Sequence, residues 1–210
     1  MANNCWNYVQ IRSEKLSVLQ ELVSKFKNYG SFNTFVDFGD SFFKEPEKDK
    51  DYYFYGTKWW DMEIDTDEIE LDDVQIQNKE YSITIQGDSA WGPPDTLIKM
   101  IALEYNVDVF HEYSEPGMNF GGILQVEDGL VSDEDYSYAE HLYRNCEGMH
   151  SLLNEYMCDW SILDCYDDVD AFIEEFPFVT DETEIQQFRD KWIELETNKK
   201  AYEAEHKIEK

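Results

Sequence analysis

The sequence predicts an α+β fold, an antiparallel sheet with two helices on one face, followed by a C-terminal helical extension. Three observations predict it. Strand-like stretches recur between residues 5 and 127. Two stretches of helical period interrupt them, and from Asp133 onward the reading becomes helical, with apolar residues recurring at spacings of three or four. Of 210 residues, 42% are hydrophobic and 16% aromatic, enough for a sizeable core, so disorder is not expected for most of the chain.

Taken in order, Cys5–Arg12 alternates as a strand carrying Trp6, Tyr8, Val9 and Ile11. Ser13 is placed to cap a helix whose apolar side is Leu16, Leu19, Val23 and Phe26, with Gly30 placed to stop it. The aromatic stretch 32–43 has room for a short strand, and 44–51 is a charged loop containing Pro46. Residues 52–63 read as a strand, and Tyr81, Ile83 and Ile85 mark a half-buried one. Pro93-Pro94 opens a helix at Asp95 that buries Leu97, Ile98, Ile101 and Tyr105. Strands follow at 107–115 and 120–127, turning at Glu115-Pro116-Gly117. The order strand, helix, strand, strand, helix, strand, with one strand added, predicts a ferredoxin-like split βαβ arrangement over residues 1–130.

Residues 131–210 form the helical extension, expected to pack on the domain. Tyr138, Leu142, Cys146, Met149, Leu153 and Tyr156 make one helical stripe that runs through Gly148. Val169, Phe172, Ile173 and Phe176 make a second, ended by Pro177. Thr180 caps a last helix with Ile185, Phe188, Trp192 and Leu195 on one side, and the last roughly ten residues fray.

Charge is the most unusual property. The net charge is -30, yet residues 1–50 carry seven acids and seven bases, and 189–210 carry six of each. The imbalance lies in 51–188, with 34 acids against Lys58, Lys79, Lys99 and Arg144. Such a field repels phosphate backbones and anionic membranes, so direct nucleic-acid and membrane binding are disfavoured. It suits a protein with a basic, nucleic-acid-binding surface. The plainer reading is that acidity maintains solubility. No apolar run is long enough to span a bilayer, and the start of the chain lacks a signal-peptide pattern, so a cytoplasmic location is expected. Cys5, Cys146, Cys158 and Cys165 form no Cys-x-x-Cys pair, and with His141 and His150 their spacing is irregular for zinc. They read as buried reduced thiols, with no metal and no cofactor.

Four segments carry a resemblance: Asn4-Cys5-Trp6-Asn7, Tyr55-Gly56-Thr57-Lys58-Trp59, Ser89-Ala90-Trp91-Gly92-Pro93-Pro94, and Glu115 through Gly122. Together, and in this order, they resemble the YubB-like ferredoxin-like domain family of plasmid and phage proteins, over roughly residues 1–130. Tyr55 stands where that family commonly has Trp, and Gly92 where it has Ser. The resemblance implies a ferredoxin-like fold and a mobile-element origin, and no established activity.

Catalytic patterns are weak. There is no glycine-rich phosphate loop and no Gly-x-Ser-x-Gly elbow. His111 and Glu112 are neighbours on a strand and so face opposite sides, and a lone strand histidine reads as structural. The acidic run Asp65–Asp73 lacks the turn glycine and the late glutamate of a calcium loop. The expectation is therefore a non-enzymatic accessory protein that binds and inhibits a host nucleic-acid-handling or defence protein by nucleic-acid mimicry.

The acidic surface expected for that role comprises Asp61, Glu63, Asp65, Asp67, Glu68, Glu70, Asp72 and Asp73, then Asp133, Glu134 and Asp135, and finally Asp164, Asp167, Asp168, Asp170, Glu174 and Glu175. Tyr136, Trp160 and Tyr166 are its expected anchors. The alternative is a small-ligand or peptide pocket formed by Lys58, Trp59, Trp91 and Glu115. The near-neutral ends of the chain are the expected surfaces should it form a homodimer.

Overall fold

The computed structural model describes residues 3–28, 34–46, 49–51, 53–64, 70–72 and 80–206. The chain divides into two compact units, Met1–Tyr136 and Ser137–Lys210.

The first unit is built on strands β1 (Asn4–Ser13), β2 (Trp60–Ile64), β3 (Glu70–Asp72), β4 (Glu80–Ala90), β5 (Asp108–Glu115), β6 (Phe120–Glu127) and β7 (Leu130–Tyr136). Their order is β2-β4-β1-β5-β6-β7, with β3 also pairing β4, and every pairing is antiparallel. Helix α1 (Leu16–Lys27) lies between β1 and β2 in sequence, and α3 (Asp95–Tyr105) between β4 and β5; a short α2 (Phe35–Asp40) follows α1. Each long crossover skips one strand, β4 in the first case and β1 in the second. This is the ferredoxin-like split βαβ frame, with β6 and β7 added at one edge.

Register explains which residues build the core. On β1 the inward positions are Cys5, Asn7, Val9 and Ile11, all buried. Trp6 and Tyr8 have the opposite parity and point away from the core, although the sequence suggested grouping them with Val9 and Ile11. Strand pairing sets Val9 between Ile85 and His111, and Ile11 between Ile83 and Val109. Helix α1 packs Leu19, Leu22 and Phe26 against this face, and α3 packs Leu97, Ile98 and Ile101. Each such side chain contributes on the order of 1.5–3 kcal/mol by leaving water.

Several expectations need correcting. The expected short strand at 32–43 is helix α2. Phe35, Phe38 and Phe42 recur at helical spacing, and the Thr34 hydroxyl accepts from the Asp37 amide at 3.0 Å as a cap. Of the strand expected over 52–63, residues 53–55 are turn and β2 begins only at Trp60. Ser13 ends β1 rather than capping α1, though its hydroxyl accepts from the Lys15 amide. Leu130–Tyr136 is a strand, so the first unit runs to Tyr136 instead of 130. The proposed stop at Gly30 and the strip 65–69 lie outside the described residues.

The second unit contains α4 (Tyr138–Asn145), α5 (Met149–Tyr156), α6 (Val169–Ile173) and α7 (Glu182–His206). The single stripe expected across Tyr138–Tyr156 is broken at Gly148, whose φ of +58° and ψ of -129° suit glycine alone. That break leaves Cys146 exposed. Cys158 and Cys165 are exposed too, so only Cys5 is a buried thiol. Asp181, not Thr180, caps α7, accepting from the Thr183 and Glu184 amides. Of the last ten residues, expected to fray, those up to His206 continue α7 and 207–210 lie outside the described residues. Phe172, Phe176, Phe188, Trp192 and Leu195 form this unit's core with Leu152 and Met157.

Candidate functional site

The four sequence motifs converge on one end of the sheet, where β1 begins, β4 and β5 end, and β6 begins. Asn7 is fully buried at their centre. Its Nδ2 donates to the Cys5 carbonyl (2.8 Å), the Gly87 carbonyl (3.2 Å) and the Ser89 hydroxyl (2.8 Å). Ser89 in turn donates to the Gly92 carbonyl (2.7 Å). Thr57, also fully buried, donates to the Ala90 carbonyl (2.6 Å), and Trp91 N–H donates to the Asn3 carbonyl (3.0 Å). These bonds tie the 55–60 loop and the 89–94 turn to the head of β1. Buried polar groups must be paired, and here they pair with one another and with backbone carbonyls at the head of β1, along the end of β4 and in the turn after it.

His111 completes the network. Its Nε2 lies 3.1 Å from Asn7 Oδ1, which can only accept, so Nε2 carries the proton. Nδ1 is buried with no hydrogen-bond partner among the described residues. Burial lowers the imidazole pKa to about 3, so the ring is neutral at pH 7. Glu112, its neighbour, is on the opposite face, and its own pKa is raised by burial. Cys5 is buried beside Ser89 and Glu115, and burial pushes its thiol up to about 12. A neutral histidine and a thiol held protonated do not make an activated nucleophile pair.

The four candidate pocket residues reach this same end in different states. Trp91 is held out to solvent, 48% exposed, with φ of +69°. Trp59 is partly buried and Lys58 exposed. Glu115 is buried, and its two carboxylate oxygens accept from the Gly117 and Met118 amides, capping the turn Pro116–Met118. This engagement leaves the Glu115 carboxylate anchored to its own turn.

The acidic candidates separate. Asp61 and Glu63 are exposed on β2, and Asp133, Glu134 and Asp135 on β7. These strands end opposite edges of the sheet, so the two groups flank it and do not merge. Asp135 accepts from the Tyr113 hydroxyl at 2.6 Å. The Asp133 carboxyl is raised by partial desolvation and by Asp135, against the opposing pull of Lys99. Glu70 and Asp72 are on β3, while Asp65, Asp67, Glu68 and Asp73 lie outside the described residues.

In the second unit Asp164, Asp167, Asp168, Asp170, Glu174 and Glu175 are all exposed. Asp164 pairs with Lys199 and Asp170 with Arg189, so α7 returns cations to a region that looks purely acidic in sequence. Asp168 caps α6. Asp167, Glu174 and Glu175 have no cation within 4.0 Å among the described residues. Two of the expected anchors, Trp160 and Tyr166, pack into the hydrophobic cluster of this unit, and Tyr136 is partly buried. The aromatics that stand out instead are Trp6, Tyr53, Trp91 and Tyr202. Parity along β1 is the signal that marks Trp6.

Among the described residues no group of three or more His, Cys, Asp or Glu is arranged to hold a metal ion, and no helix is long and apolar enough to cross a membrane.

A family model described as the ferredoxin-like domain in Api92-like protein matches residues 72–153. The match takes in β4, α3, β5, β6, β7 and α4, and so crosses from the first unit into the second. Two of the four motif segments, Ser89–Pro94 and Glu115–Gly122, fall inside it. Its description names a fold and no activity. No curated protein and no solved structure matches the chain at a significant level.

Proposed function

We propose that the chain is a non-enzymatic accessory protein of a mobile element, which binds and inhibits a host protein that handles nucleic acid or serves defence. The observation that carries this reading is the charge distribution: 34 acids against four bases across residues 51–188. The described candidate carboxylates stand exposed on β2, on β7 and along 164–175. Asp167, Glu174 and Glu175 in particular offer charge that no cation among the described residues pairs with. Carboxylate arrays of this kind compete with phosphates for a basic groove. The resemblance to plasmid and phage proteins supports the origin, and the cytoplasm of the host is then the site of action.

Affinity purification from the host, followed by competition between the recovered protein's nucleic acid and this chain, tests the proposal. Competitive displacement that weakens between about 50 and 500 mM salt is the expected result, because screening shortens severalfold over that range. A partner held equally well at both salts, or held together with its nucleic acid, refutes mimicry.

A second reading, a peptide- or ligand-binding module, is favoured by one observation: Trp91 is held in solvent at a positive φ beside Trp59 and Lys58. Trp91→Ala should then abolish binding of such a ligand without lowering stability.

A further inference from the structure

Pairing register places the residues of the sheet face opposite α1 and α3 in rows that cross the strands. One row runs Asp61, Asp88, Trp6, Ser114, Gly121, Tyr136. The next, two residues along each strand, runs Glu63, Gln86, Tyr8, Glu112, Ile123, Glu134. Trp6 and Tyr8 stack with ring centroids 6.4 Å apart at 21°, and Phe110 meets Tyr8 edge-on, also at 6.4 Å. Trp6 is 37% exposed. Strands lie about 4.8 Å apart, so carboxylates of Asp88 and Glu112 flank the aromatic pair on the two neighbouring strands.

The only cation among the described strand residues of this face is Arg12, two rows from Tyr8, and it pairs with Glu127 at 3.5 Å. The face thus already accommodates one guanidinium on a carboxylate, at its far end. Around Trp6 and Tyr8 it offers the aromatic planes and the carboxylate of Asp88, which accepts from the Asn4 side chain at 3.3 Å, and neither row contains a Lys or Arg.

We infer that this face is a docking site for an arginine-bearing segment of a protein partner, with guanidinium groups over Trp6 and Tyr8 and in reach of Asp88 and Glu112. Charge complementarity selects the occupant. Aromatic sheet faces also stack nucleic-acid bases, but the carboxylates of Asp61, Glu63, Asp88 and Glu112 repel the phosphates that come with them. Arginine fits better than lysine, because a planar guanidinium can stack on a ring and still donate to a carboxylate at its edge. The inference deepens the proposed function, on which it rests, by locating contact on the aromatic sheet face instead of the acidic edges.

The test uses the full chain and a fluorescent octapeptide alternating arginine and serine, at low salt. Trp6→Ala and Tyr8→Ala keep the net charge, so attraction to the acidic molecule as a whole is unchanged. Each is expected to weaken binding by about fivefold, and a lysine version of the peptide to bind more weakly to the wild type. Amide shift mapping on the unaltered chain gives the location without any variant and is expected to centre on β1, β4 and β5. Unchanged affinity of both variants, with shifts on β7 or residues 164–175, overturns the sheet-face site and leaves the acidic-partner reading standing. Binding of a single-stranded oligonucleotide to β1 and β5 in preference to the peptide overturns both.

Discussion

His111 makes stability depend on acid pH in a way that one substitution should expose. The imidazole has an ordinary pKa of 6.5 when the chain is unfolded and about 3 when it is buried. Between those values the unfolded chain binds the proton and the folded chain does not, so stability falls as pH drops through that window. Above 6.5 the ring is neutral in both states and the contribution is complete. From pH 7 to pH 5 the loss is about 2 kcal/mol, at about 1.4 kcal/mol for each pH unit below 6.5. His111→Leu removes the titration while keeping the volume roughly constant.

At pH 7 the exchange is nearly even. It removes the unpartnered Nδ1 but deprives Asn7 Oδ1 of its donor, and each such orphan costs about 1–3 kcal/mol. At pH 5 the variant should therefore have gained about 2 kcal/mol on the wild type. Urea unfolding followed by tryptophan fluorescence at both pH values measures this, and comparing the two proteins cancels the titration of the many carboxylates. Parallel changes in the two proteins, or an imidazole resonance of His111 that titrates above pH 6 in the folded chain, would refute the reasoning.

Three further outcomes are expected. The Lys50 side chain is 3% exposed and pairs with Asp40 and the Tyr55 hydroxyl beneath the Phe54 ring, so Lys50→Met should cost about 2–3 kcal/mol by removing the cation that pairs with Asp40, read from the urea midpoint. Iodoacetamide on the native chain should label Cys146, Cys158 and Cys165 and spare Cys5, giving three adducts by mass spectrometry and a fourth only after denaturation. Gly87 pairs with Met62 of β2 at φ of +152°, and a Cβ there meets the Asp61 carbonyl oxygen; Gly87→Ala should cost about 2–4 kcal/mol and speed hydrogen exchange in β2 before the rest of the sheet.

The frame was legible where one residue type dominates a decision. Tyr81, Ile83 and Ile85 alternate, and Pro93-Pro94 fixes where α3 begins, so β4 and α3 follow from pattern alone. Helix α2 was missed although its signal was present, because an aromatic run suggests a strand until Phe35, Phe38 and Phe42 are read at spacings of three and four. Strand β7 carried no such signal. Six of its seven residues are exposed, so no alternation forms, and only pairing with β6 defines it. The motif cluster was legible as four segments but not as a network. Asn7 holds an inward position in a strand of apolar inward residues, a place where polarity is tolerated only if tertiary partners exist, and those partners, Gly87 and Ser89, lie 80 and 82 residues away. The acidic region was overestimated for the same reason: Lys199 and Arg189 are distant in sequence and adjacent in space to Asp164 and Asp170.

Strand β7 has a consequence for how copies of this protein meet. A strand that ends a sheet invites an identical strand from a second molecule to extend it. Two β7 strands brought together antiparallel about Glu134 would set Glu134 against itself and Asp133 against Asp135, a ladder of like charges. The sheet is extended by two strands beyond its four-stranded frame and then stopped, so that growth ends within one molecule. Acidification or concentrated salt removes that stop, and the same edge that keeps copies apart near neutrality becomes the seam along which they would join.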